Sequence, residues 1–197
     1  MNREICMLIF LLLIMIGNMS FAQSVNIHID QIGDNNNLTV TQDYDSHIFS
    51  IMTGSVTNSD NNTISVTQQD IGPKTTMITL TGGTYNNIAV NQSGTGSHIA
   101  NIQNLNGSFN GIQLNQSGAG SHTFLVENLN GSTNNGNNVV ATQSGGLNAN
   151  KSFQLILNGA IGSTVNIQQS NPTVPDTSSM MINCTVGCGG TYSYVKY

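Results

Sequence analysis

The stretch Asn86-Asn87-Ile88-Ala89-Val90-Asn91-Gln92 decides how this chain folds. Its first Asn, two aliphatic residues and final Gln stand at positions i, i+2, i+4 and i+6. A β-strand turns all four to one face, whereas a helix would scatter them around its circumference. The pattern recurs downstream in Asn110-Gly111-Ile112-Gln113-Leu114-Asn115-Gln116 and upstream in Asn62-Thr63-Ile64-Ser65-Val66-Thr67-Gln68 and Asn36-Asn37-Leu38-Thr39-Val40-Thr41-Gln42. It continues in Asn137-Asn138-Val139-Val140-Ala141-Thr142-Gln143 and, with Ser163 for Asn, through Val165 and Ile167 to Gln169. The closing glutamines are separated by 26, 24, 24, 27 and 26 residues, and a weaker seventh unit places Lys196 another 27 on. A period of that size marks a repeat architecture.

Each unit also has a first half with the same alternation: Ile27 and Ile29, Phe49 and Ile51, Ile78 and Leu80, Ala100 and Ile102, Phe124 and Val126, Phe153 and Leu155. Turn chemistry separates the halves at Gly82-Gly83, Asn106-Gly107, Asn130-Gly131 and Asn158-Gly159, residues that tolerate positive φ. A second turn, as in Ser93-Gly94-Thr95-Gly96-Ser97 and Ser117-Gly118-Ala119-Gly120-Ser121, joins one unit to the next. Two strands and two turns per repeat predict an all-β fold. It is a flattened β-solenoid of about seven coils, near 24–43, 46–69, 75–93, 97–117, 121–144, 151–170 and 178–197, with two facing parallel sheets. In it Leu38, Val40, Ile64, Val66, Ile88, Val90, Ile112, Leu114, Val139, Ala141, Val165 and Ile167 point inward as a thin core. Asn36, Asn62, Asn86, Asn110 and Asn137 form one polar ladder, and Gln42, Gln68, Gln92, Gln116, Gln143 and Gln169 form a second, each bonding to its own kind in the next coil. The proline-bearing stretches Asp70–Lys74 and Asn171–Asp176 are expected to leave the sheets as loops, because proline removes a ladder hydrogen bond.

Residues 1–22 fall outside the repeat. Arg3 precedes an apolar run from Ile5 to Ile16, and Ser20-Phe21-Ala22 has small residues at both positions of a cleavage site, so this segment reads as a secretory signal too short to span a membrane. The portion from Gln23 onward keeps three Lys, no Arg and eight acidic residues, which leaves nothing basic to neutralise phosphates and disfavours nucleic acid as a partner. Its acidic residues are scattered, and no nucleophile has a base and an orienting group near it in sequence, so catalysis is not expected and no cofactor is called for.

Three further features invite a role. Cys184 and Cys188, the cysteines outside the signal, suit a local disulfide across a tight turn in an oxidising compartment. His98 and His122 occupy equivalent places in adjacent units, with His47 in the same Ser-His context. They read as solvent-facing residues at strand starts, the other reading being an imidazole ladder about 5 Å apart that binds a transition metal or titrates near pH 6. In the seventh unit Gly190 replaces Asn and Lys196 replaces Gln, which makes it either a frayed terminal repeat or a cap and attachment surface.

Taken together, these units resemble the curlin repeat family, the subunits of curli, functional amyloid fibres of bacterial biofilms. The first fits best: Ile27-His28-Ile29-Asp30-Gln31-Ile32-Gly33-Asp34-Asn35-Asn36-Asn37-Leu38-Thr39-Val40-Thr41-Gln42 follows that family's order of apolar positions, Gln, Gly, Asn, apolar positions and Gln. The likeness departs in two respects, since later units lose the first Gln and run longer, and Gln23 leads almost directly into a strand without a Gly-rich targeting segment. It implies a divergent or minor fibre subunit, exported through the periplasm to the cell surface and supporting biofilm matrix and adhesion. Its implied partners are further copies, related curlin-type subunits, and outer-membrane export or anchoring machinery. The alternatives are a monomeric secreted solenoid that binds a surface as an adhesin, and a fibre nucleator or cap.

Overall fold

The computed structural model describes residues 26–31, 35–43, 47–53, 60–80, 82–103, 107–128 and 134–197. The expected signal, the turn residues Asn106, Asn130 and Gly131, and the side chains of Ile27, Ile29, Ile51 and Leu80 lie outside the described part. Fourteen strands follow in order: β1 (Asn26–Gln31), β2 (Asn37–Gln42), β3 (His47–Thr53), β4 (Thr63–Gln68), β5 (Lys74–Leu80), β6 (Asn87–Gln92), β7 (His98–Gln103), β8 (Gly111–Gly118), β9 (His122–Asn128), β10 (Asn138–Gly145), β11 (Lys151–Ala160), β12 (Thr164–Gln169), β13 (Asp176–Cys188) and β14 (Thr191–Lys196). Odd-numbered strands form one seven-stranded sheet and even-numbered strands the other. Every ladder is parallel, so the chain is an all-β solenoid in which each coil gives one strand to each sheet.

Alternation and register together build the core. In the even sheet Leu38, Ile64, Ile88, Ile112, Val139, Val165 and Tyr192 form one inward column. Val40, Val66, Val90, Leu114, Ala141, Ile167 and Tyr194 form the next. From Ile64 to Ile167 these aliphatic side chains are buried, while Leu38 and Val40 in the first coil are half-buried and pack against the rest. The odd sheet faces them with the column Phe49, Thr76, Ala100, Phe124, Phe153 and Ser178. A single residue's slip would turn such a column to solvent, which is why uneven loop lengths are absorbed in the turns and not in the strands.

The turn ahead of each ladder Asn uses one device throughout. Asn35, Asn61, Tyr85, Phe109 and Gly136, and Gly162 ahead of Ser163, each have positive φ, between 55° and 67°, where the chain enters the even sheet. Asn and Gly accept that conformation readily, whereas Tyr85 and Phe109 adopt it under strain and stack on each other at 5.2 Å. Two expectations about turns fail. Asn158 and Gly159 do not end the strand but lie within β11, where Asn158 Nδ2 donates to Asn183 Oδ1 of β13 at 2.8 Å, although Gly159 does take the expected positive φ, 69°, at a shift of register with β13. Lys74 and Asp176, expected in proline loops, are instead the first residues of β5 and β13, and both are buried.

Between coils the backbone closes up where glycine allows it. A Cβ on Gly96 would collide with the carbonyl oxygen of Gly120 in the next coil. Overpacking of that kind costs about 2 kcal/mol, so Gly96→Ala is expected to lower the urea midpoint with an unchanged slope.

Candidate functional site

The candidate site is the set of polar columns that run along the solenoid axis, together with the two ends where they stop. The Asn ladder is continuous. Asn62 N donates to Asn36 Oδ1 at 2.9 Å, and Asn86, Asn110 and Asn137 each donate both N and Nδ2 to the preceding Asn Oδ1 at 2.9 to 3.1 Å. The remaining Nδ2 proton goes forward to a turn carbonyl, at Gly83, Gly107, Asn134 and Ala160 in turn. One side chain per coil therefore satisfies a buried backbone N–H and a buried carbonyl that the sheets leave over, which is what interior polar groups require.

The Gln ladder runs with a fixed polarity. Nε2 of Gln42, Gln68, Gln92, Gln116 and Gln143 donates to Oε1 of the next glutamine at 2.5, 2.9, 2.8, 2.8 and 2.7 Å. Each interior Gln also bonds a backbone carbonyl of the odd sheet, for example Gln116 Nε2 to Ile99 O at 3.0 Å, and so ties the two sheets together across the arc. The last member, Gln169, donates instead to Asp176 Oδ2 at 2.8 Å.

Opposite the glutamines lies a column that departs from expectation. His98 and His122, read from sequence as solvent-facing, are fully buried, as is His47. Register places His47, Lys74, His98, His122, Lys151 and Asp176 one above another at the start of the odd strands. The His98 and His122 rings stack at 4.8 Å, nearly parallel. Their Nε2 atoms donate to the turn carbonyls of Ser93 and Ser117 at 2.7 and 2.9 Å, and His47 Nε2 does the same to Asp43 O at 2.8 Å. His122 Nδ1 accepts the backbone N–H of Lys151, which fixes a neutral tautomer. Among the described residues no group of three His, Cys, Asp or Glu is close enough to hold a metal ion.

Sequence reasoning passed over the two lysines. Lys74 Nζ donates to the carbonyls of Gly72, Gly94 and Gly96 at 2.7, 2.7 and 3.0 Å, and Lys151 Nζ to Val174 O. The signal was present in the phase of alternation, since Lys74, Thr76 and Ile78 share one face, as do His98, Ala100 and Ile102. Burial lowers the Lys74 ammonium to about 8 against the raising influence of Asp70. Burial likewise lowers His98 to about 4, with the Ser93 carbonyl opposing it and His122 and Lys74 reinforcing it. His122 is lowered for the same first reason, again with its turn carbonyl, Ser117, opposing.

The two ends differ chemically. At the β1–β2 end, Asn36 Nδ2 and Gln42 Oε1 are buried and have no hydrogen-bond partner among the described residues. At the β13–β14 end, Asp176 gathers Gln169, Tyr194 OH at 2.9 Å, Ser178 Oγ at 3.1 Å and Lys196 Nζ at 3.2 Å. Burial works to raise its carboxyl, and these hydrogen bonds outweigh it and leave it below the ordinary carboxylate value. The seventh unit is not frayed, because β14 pairs with β12 over six residues, from Thr191 opposite Thr164 to Lys196 opposite Gln169. Cys184 and Cys188 are joined as a disulfide in the same end coil. Comparison of the chain with models of known protein families, with curated proteins and with solved structures gives no match.

Proposed function

We propose that this chain is a secreted structural subunit of a curli-like extracellular amyloid fibre, which polymerises by edge-to-edge stacking of its terminal coils and supports biofilm matrix and adhesion. The observation that carries this reading is the orientation of the strands. They are parallel and in register, and they lie across an axis along which Asn and Gln ladders pass from coil to coil. That is the arrangement of cross-β fibres, in which identical side chains stack at the strand spacing of roughly 4.8 Å.

Among the described residues, β1 and β2 at one end and β13 and β14 at the other are edge strands with a row of backbone groups facing along the axis. Edge strands are templates for another chain unless charge, proline or a covering segment blocks them. The columns in this interior are structural in kind, with carbonyl-bound lysines and neutral imidazoles held by turns and no solvent-open reactive group among them.

The test uses residues 23–197, which contain every described strand, diluted from denaturant and followed by thioflavin fluorescence with fibre diffraction on the product. Growth after a lag, acceleration by seeds and a meridional reflection at about 4.7 Å are the expected result. A soluble β-rich monomer that never responds to seeds overturns the proposal and leaves a monomeric solenoid.

A further inference from the structure

The Gln column gives the solenoid a chemical direction. Every interior glutamine donates Nε2 toward the following coil and receives, on Oε1, the donor of the preceding coil. Among the described residues no strand precedes the first coil, and Gln42 Oε1 is an unused acceptor in a buried position. At the far end the column passes to Lys196, which stands in register with Gln169 and brings an ammonium where the other coils bring an amide. One of its three protons is directed to Asp176 Oδ1, and the side chain is half-exposed, 50% against 4% for its carboxylate partner. The chain is thus acceptor-ended at β2 and donor-ended at β14.

Resting on the fibre reading above, we propose that Lys196 makes the joint between successive copies. A second copy continuing the parallel register sets its β2 beside β14 of the first, where Lys196 Nζ donates to Gln42 Oε1 while keeping Asp176. The ammonium becomes buried in that joint, and this interior already accommodates two such groups, Lys74 on three glycine carbonyls and Lys151 on Val174 O. Lys196 has the stronger arrangement of the three, because a carboxylate remains in contact and hydrogen bonds to charged groups exceed neutral ones.

The Asn column does not cross the joint. Gly190 precedes β14, and its carbonyl is taken by Thr164 N at 2.7 Å, so it has no side-chain oxygen to offer the unpartnered Asn36 Nδ2. A joint held by one column of two is weaker than the interior interfaces that carry both an Asn and a Gln bond, such as that between Asn110–Gln116 and Asn137–Gln143, and it depends on the single residue that spans it.

Seeded elongation of the exported chain tests this, with far-UV circular dichroism of each monomer as the check on folding. Lys196→Met is expected to slow elongation at least tenfold, and Lys196→Gln, which restores an amide donor of the interior type, to recover most of the wild-type rate. Gly190→Asn, which supplies the missing acceptor for Asn36 Nδ2, is expected to speed elongation severalfold. Wild-type rates for Lys196→Met, or failure of Lys196→Gln to recover, overturn the role of Lys196. Should the Met variant not fold, the Gly190→Asn and Lys196→Gln comparisons carry the test, and an unchanged rate for the first or a lost rate for the second overturns it. Absence of wild-type fibres is a different result, which defeats the fibre reading itself.

Discussion

Acidification from pH 7 to pH 4 is expected to destabilise the solenoid by about 3 kcal/mol through His98 alone, as a fall of its folded pKa from 6.5 to about 4 converts at about 1.4 kcal/mol per unit. The direction follows from proton counting. The unfolded chain binds a proton at this residue near pH 6.5, while the folded chain resists it down to about pH 4, so between those values the unfolded state holds more protons and stability rises with pH. The stabilisation is complete above pH 6.5 and fully lost below about 4.

The physical cause is the column that encloses His98. It is buried, Lys74 stands in register on one side and the His122 ring on the other, and among the described residues its Nδ1 makes no hydrogen bond, so the opposing pull of the Ser93 and Ser97 backbone does not offset burial. Lys151 lies beyond His122, and the acidic groups of the column's surroundings, Asp70 and Asp176, sit against Lys74 and Lys151 respectively. His122 adds to the effect in the same direction. Asp176, depressed below its ordinary value, adds a further loss only in more acidic solution, as pH falls through its folded pKa. Urea midpoints measured at pH 7, 6, 5 and 4 check this. In His98→Asn, which cannot charge, the decline between pH 6.5 and 4 is expected to shrink to the part contributed by His122. An identical decline in the variant would remove His98 as its source.

The second large effect is expected at Asn110. Replacing it by Leu keeps the branching at Cγ and removes the polar contacts of the side chain. The buried N–H and Nδ2 of Asn137 then lose their Oδ1 acceptor. Each stranded buried group costs roughly 1 to 3 kcal/mol, which puts the loss at about 4 kcal/mol. That is a large share of the 5 to 15 kcal/mol typical of a folded domain. Gln113, three residues on and inside β8, is exposed on the outer face, and its replacement by Ala is expected to change stability by less than about 0.5 kcal/mol. Paired denaturation curves for the two variants provide the measurement. Equal shifts would mean that the ladder contributes no more than the surface.

Much of this was legible in the residues. The Asn and Gln ladders repeat the same residue type at the same phase of a two-residue period, so Asn86, Ile88, Val90 and Gln92 declare an inward face without any tertiary information. Of the column from His47 to Asp176, the equivalence of His98 and His122 was legible, and their rings do stack; the column's burial and the places of Lys74, Lys151 and Asp176 in it were not, because its members are of three different types and of the kinds that ordinarily remain in solvent. Proline near Lys74 and Asp176 obscured them further, although the strands begin at those very residues. Asn158-Gly159 misled in the opposite sense. A dipeptide that favours turns lies within β11, where Asn158 stays paired with Asn183 and Gly159, at a φ of 69°, takes up a register shift against β13.

By itself, then, the sequence determined that the chain is a solenoid and which face its alternating apolar, Asn and Gln positions bury, because alternation is a local property that survives every change of loop length. Only the tertiary structure decided what meets at the arcs. The acceptors of Lys74 come from its own turn and from residues 20 and 22 positions further on, and Gln169 finds Asp176 across a proline loop. A hydrogen bond requires about 3 Å. With repeats that vary from 24 to 27 residues, that separation is fixed by how each turn closes and not by counting along the chain.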